Sequence, residues 1–73
     1  MRRDHILSRF GKTLRELRME RGLSQEKLAE MAGLDRNYVG MIERGERNPA
    51  VVNIVWLAKA LGVKPSELLR AFD

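Results

Sequence analysis

The chain has 73 residues, no cysteine, 44% apolar and 33% charged residues, and a formal charge of +4. A chain of this length hides only about 60% of its unfolded surface, enough for one small core over residues 1–73 and too little for a deep catalytic cavity. Without Cys there is no disulfide or thiolate metal site, and no apolar run approaches the ~20 residues of a membrane span or the core of a secretory leader, so the expected location is the cytoplasm, with no membrane contact.

Ten of the fourteen basic residues are Arg, and the isoelectric point is about 10.1. Guanidinium forks pair with phosphate and guanine edges in ways an ammonium group cannot, so the balance favours a polyanionic partner.

Periodicity predicts an all-α fold with helices at roughly 6–21, 24–32, 35–44, 51–61 and 65–72. In the first, Leu7, Phe10, Leu14 and Leu17 recur every three or four residues and share a face, while Arg9, Lys12, Arg15 and Arg18 turn largely away. Gly22 followed by Leu23 is a helix stop with an aliphatic residue to fold back over the last turn. Ser24 caps the second helix, with Gln25 and Glu26 in its first turn and Leu28, Ala29 and either Met31 or Ala32 facing inward. Gly33 ends it, Leu34 fills the corner and Asp35 caps the third helix, whose inward stripe is Val39 and Ile42. Two short helices are thus joined by a turn of about three residues, with Gly where a left-handed dihedral is needed.

Gly45 closes the third helix, and Asn48-Pro49 forces a loop. The fourth helix faces inward through Ile54, Leu57, Ala58 and Leu61 and stops at Gly62. Pro65 at the first position and Glu67 at the third open the fifth, packed by Leu68, Leu69 and Phe72.

The stretch "LSQEKLAEMAGLDRNYVGMIERGERNP", followed by "LAKALGVKPSELL", closely resembles the helix-turn-helix repressors of the phage lambda, 434 and xenobiotic-response-element type. The likeness spans roughly residues 10–70. It includes the Phe10-Gly11 pair, the Leu-Ser-Gln start of the second helix, the Glu-Arg-Gly end of the third and Leu-Ala-Lys-Ala-Leu-Gly in the fourth. It implies a compact five-helix bundle that binds double-stranded DNA with its third helix in the major groove. Controller proteins of restriction-modification systems are one subgroup, and "RNYVGMIERGERN" is compatible with it.

Residues just after the cap of such a helix meet base edges. Arg36 can bond guanine O6 and N7 in bidentate fashion, and Asn37 can pair with adenine N6 and N7; on position alone, each is equally a solvated polar residue at a helix start. Gly40 and Met41 are expected one turn further along the same exposed face. Gly40 admits either close approach to DNA or tight packing on a neighbouring helix. Met41 suits a thymine methyl or an incidental surface position.

By the resemblance, Gln25 holds a phosphate at the start of the second helix, where oriented amides attract an anion, and Ser24 shares that site besides capping. Tyr38 reaches a phosphate or covers the turn. Arg44, Arg47 and Asn48 follow the third helix and either hold the next phosphates, contacts that set register and carry little sequence information, or form an ordinary basic surface loop. The resemblance also implies a structural ion pair between Arg18 and Glu43.

Trp56 departs from the pattern, since relatives usually carry a polar residue there. With Val52 on the same helical face and Val55 nearby, it predicts more apolar surface than one small core buries. Val52, Val55, Trp56, Leu69 and Phe72 are therefore expected to form a two-fold homodimer interface. The alternative tucks the Trp56 ring under the N-terminal segment around Ile6. A different functional class remains open, a protein-interaction module such as an antitoxin that offers the Trp56 face to a second protein. Catalysis has little support, because His5 is the only histidine and has no Cys nucleophile or metal-ligand cluster to join it, and neither cofactor nor metal is expected. Met1-Arg2-Arg3 reads as a disordered basic end or an arm toward DNA.

Overall fold

A computed structural model describes Arg2–Asp73. It runs α1 (Arg3–Glu20), α2 (Gln25–Ala32), α3 (Arg36–Glu43), α4 (Val51–Leu61) and the single turn α5 (Pro65–Leu68), followed by a 3₁₀ turn at Arg70–Phe72, with no strand among the described residues. The all-helical architecture is the expected one. Two boundaries differ from expectation. α1 begins three residues earlier, at Arg3, so the basic end is helical from that residue; Asp4 in the first turn complements the positive end of the helix dipole and pairs with Arg2 at 3.5 Å. Met1 lies outside the described residues. α5 is cut to one turn because its last residues tighten into the 3₁₀ turn.

The helix ends follow one chemical rule. At the close of α2, Gly33 takes φ 72°, a left-handed dihedral that a Cβ would strain, and the Leu34 amide donates to the Ala29 carbonyl at 2.8 Å. The same closure joins Leu23 to Arg18 after α1, Glu46 to Met41 after α3 and Val63 to Ala58 after α4. Each residue after the glycine of α1, α2 and α4 is an aliphatic one that packs partly buried on the core. Ser24 Oγ accepts from the Lys27 amide at 3.0 Å and Asp35 Oδ1 from the Asn37 amide at 2.7 Å, so α2 and α3 are both capped at their N-termini.

The core takes Phe10, Leu14 and Leu17 from α1, Leu28, Ala29 and Ala32 from α2, Val39 and Ile42 from α3, Leu57, Ala58 and Leu61 from α4 and Leu68 from α5. Ala32, and not Met31, is the inward residue of α2; Met31 is exposed. Leu69, expected to pack this helix and to reach a second copy, is exposed at the point where α5 gives way to the 3₁₀ turn. Gly11 is buried where α1 crosses the end of α3, and a Cβ there would collide with the carbonyl oxygens of Ile42 and Glu43. This crossing brings the polar faces of α1 and α3 within reach of each other.

Candidate nucleic-acid interface

α2 and α3 are each eight residues long, and the Gly33 turn sets their N-terminal ends side by side on one surface. Beneath that surface lies a polar clamp. Nε and Nη2 of Arg18 donate to the two oxygens of Glu43 at 2.7 and 3.0 Å, and Nη1 donates to the Leu23 carbonyl at 2.8 Å. The side chains of Arg18 and Glu43 are 12% and 2% exposed. Arg18 therefore turns inward, unlike the other basic residues of α1, because a buried carboxylate draws it. Gln25 completes the clamp with Nε2 donating to Glu43 Oε1 at 3.0 Å. No buried side-chain polar atom among the described residues lacks a partner.

The clamp fixes the start of α2 against the end of α3 and explains Gly40. The expectation that Gly40 shares an exposed face is corrected: it is buried, and a Cβ would stand 3.1 Å from Arg44 Nη1 and 3.3 Å from Gln25 Oε1. The glycine gives those two side-chain ends room to lie across the helix. Met41 is half-buried, with Arg47 Nη1 4.0 Å from its sulfur.

Arg36 and Asn37 are exposed at the first turn of α3. Arg36 donates from Nη1 to Glu26 Oε2 at 3.3 Å, a pair that links the first turns of the two helices. Tyr38 lies half-buried, covering the core with its ring; its hydroxyl accepts from Asn53 Nδ2 of α4 at 3.1 Å, and the Arg47 guanidinium sits 5.3 Å above the ring centroid. Arg44, Arg47 and Asn48 are exposed past the end of α3. Arg44 is engaged by Glu46 through two bonds, Nε to Oε2 at 3.0 Å and Nη2 to Oε1 at 3.2 Å. Those hydrogen bonds, with the opposite charge behind them, push the Arg44 guanidinium above its ordinary range; hydrogen bonds from Arg44 first, and its charge after, hold the Glu46 carboxyl below the usual carboxylate range. The carboxylate partners Glu26 and Glu46 escaped the sequence reading. One stands ten residues from its arginine, and the other lies beyond a helix stop, where helical spacing rules say nothing.

The predicted dimer residues divide into two places. Val52 and Trp56 line an open groove of about 440 Å³ with Met31, Leu34 and Asn53, while Leu69 and Phe72 line a smaller one with Ile6, Leu7, Phe10 and Ile54. The helical step of about 100° sets Val51 and Val55 on the edge of α4 between these two sides. Trp56 is 50% exposed, with Lys59 Nζ 5.2 Å above its ring, and it does not fold under the segment around Ile6, which belongs to the other groove. Among the described residues no cluster of His, Asp and Glu could hold a metal, and no helix is long and apolar enough to cross a membrane.

A tight turn joining two capped short helices, with the second presenting Arg and Asn at its exposed start, is the arrangement of a helix-turn-helix, and the helix-turn-helix family model HTH_3 matches residues 14–68. The chain belongs to the HTH_3 helix-turn-helix family. Within this DNA-binding family of transcription regulators, it is 48% identical over 61 residues to control protein C.BamHI of Bacillus amyloliquefaciens, covering 82% of this chain and 75% of that protein. It is 46% identical over 64 residues to control protein C.MunI of a Mycoplasma species, with 86% of each chain covered. The crystal structure of the restriction-modification controller protein C.AhdI from Aeromonas hydrophila matches with a TM-score of 0.84 at 60% identity, covering 85% of this chain and 94% of that one. These relatives are control proteins, so the chain stands among regulators and not among enzymes, and the likeness drawn from "RNYVGMIERGERN" extends over 82–86% of this chain.

Proposed function

We propose that this protein is a sequence-specific transcriptional regulator of the controller type, acting as a homodimer on a pseudo-palindromic duplex with α3 in the major groove. The observation that carries the reading is the pairing of Arg36 and Asn37, exposed on the first turn of a capped helix, with a buried clamp that ties the far end of that helix to α1 and α2. A helix about 10 Å wide enters the groove end-on, where Arg36 takes guanine and Asn37 adenine. Asn37 spends only its backbone amide on the Asp35 cap, which leaves its carboxamide for a base. Met41 offers an apolar edge one turn further on.

Around this reading pair, the Ser24 hydroxyl, the second amide hydrogen of Gln25, Arg44, Arg47 and Asn48 face the flanking phosphates, with the Tyr38 ring as a support for Arg47. One protomer measures 32 × 22 × 21 Å. Two of them across a two-fold axis suit reading helices one turn of DNA apart, about 34 Å. The apolar edge of α4, from Val55 and Val52 to Trp56, is the surface that a second copy covers, with Leu69 and Phe72 at its far side.

Binding-site selection from random duplex DNA tests the reading. The expected result is a pseudo-palindrome whose guanine preference relaxes in Arg36→Ala by about 1–3 kcal/mol, while Arg47→Ala weakens all sequences alike and lowers the salt slope by about one. Weak binding without a consensus would refute it. Trp56→Lys is expected to halve the mass measured by sedimentation; an unchanged dimer would move the interface elsewhere and leave the Trp56 face to a second protein.

A further inference from the structure

The proposed DNA-facing surface carries a negative charge that phosphate binding opposes. Glu26 stands in the first turn of α2, 71% exposed in its side chain, and its only hydrogen-bonding partner among the described residues is Arg36, itself 67% exposed. Glu46, paired with Arg44 past the end of α3, is a second exposed carboxylate on this surface, whereas two other acidic residues nearby have evident tasks in the fold. Asp35 caps α3 and Glu43 anchors the buried clamp. An exposed ion pair such as Glu26 with Arg36 adds little to stability, and a carboxylate beside a polyanion costs affinity.

The geometry of the pair supplies a reason to keep it. A guanidinium has five N–H groups, and bidentate reading of guanine O6 and N7 uses two along one edge. Glu26 engages Nη1 alone, so the Nε and Nη2 hydrogens remain free along the opposite edge. A long side chain tethered at one corner has fewer rotamers in which to meet a wrong base. As DNA displaces water from around the pair, the attraction between its charges strengthens.

We propose that Glu26 is a specificity-determining residue that orients Arg36 with its Nε–Nη2 edge toward the base, exchanging affinity for discrimination. The proposal rests on α3 being the reading helix. Site selection with wild type, Glu26→Ala, Arg36→Ala and the double variant tests it. Glu26→Ala is expected to bind mixed-sequence duplex about threefold tighter, having lost a charge that phosphates repel. Its guanine preference at the Arg36 position should fall by about fivefold or more. The double variant should select the same sites as Arg36→Ala alone, because Glu26 acts only through the arginine. Unfolding midpoints measured on each variant separate this loss from loss of fold. If Glu26→Ala keeps the wild-type preference while Arg36→Ala loses it, the orienting role is overturned and the reading helix stands. If Arg36→Ala selects the wild-type consensus, the reading by Arg36 and the role of Glu26 fall together.

Discussion

Arg18–Glu43 and Arg44–Glu46 are the same chemical pair in opposite surroundings. Each is a guanidinium fork on a carboxylate, at 2.7 and 3.0 Å for the shorter bond, yet the first joins side chains 12% and 2% exposed and the second joins side chains 56% and 54% exposed. The buried pair spans 25 residues and ties α1, the turn after it and α2 to the end of α3. The exposed pair spans two residues and ties nothing distant. Burial, and not bond length, decides which pair belongs to the fold and which remains free to exchange its carboxylate for another anion.

The comparison is broken most directly at Glu43. Glu43→Ala strands a buried guanidinium and is expected to destabilise the protein by about 3–5 kcal/mol in urea unfolding, a large share of what so small a domain possesses. Replacing the pair together, as Arg18→Met with Glu43→Leu, should cost far less than either single change, since no charge is left unpaired. A double variant as unstable as Glu43→Ala would mean that Leu23 and Gln25, deprived of their partners, set the cost. Gly11→Ala sharpens the same contrast by another route. Its methyl group would push α1 away from the carbonyls of Ile42 and Glu43, and a loss of about 1–3 kcal/mol is expected, with the Arg18–Glu43 bonds lengthened in a crystal structure.

The smallest effects belong to the exposed pair. Glu46→Gln is expected to leave the urea midpoint unchanged within error while tightening DNA binding, as Arg44 is released to phosphate. The lowered pKa of Glu46 fixes the sign of its pH dependence. A carboxyl depressed in the folded state stabilises above its unfolded pKa and loses that contribution as pH falls through the folded value, but in so exposed a pair solvent screening keeps the contribution too small to move the urea midpoint. Carboxyl titration by NMR should place Glu46 below an ordinary glutamate, and Arg44→Ala should return it to the ordinary range.

Much of the fold could be read from residues that act locally. Gly followed by an aliphatic residue marked the ends of α1, α2 and α4, and Ser24 and Asp35 marked two starts, because caps are written within a few positions of where they act. The start of α1 was missed since Arg3, Asp4 and His5 offer no apolar period. Residues whose role depends on what crosses them were harder. Gly40 looked exposed until Gln25 and Arg44 were seen to cover it, and Arg18 looked outward except by family likeness. Leu69 is expected both to pack a helix running to residue 72 and to join a dimer surface, whereas α5 stops after one turn and Leu69 is exposed. The candidate site was legible as a list of polar residues. Its wiring, Gln25 to Glu43, Arg36 to Glu26 and Arg44 to Glu46, was not, because each partner is set by tertiary approach or by a loop.

The brevity of α2 and α3 has a kinetic consequence. Segments of eight residues fall well under the ~12–15 at which an isolated helix becomes even marginal in water, so neither exists before the helices around it have assembled. A peptide cut from α3 would be a coil, and a chain still lacking α4 would have no ordered surface to offer a duplex. The surface formed by α2 and α3 is therefore made and lost together with the packing of the whole domain.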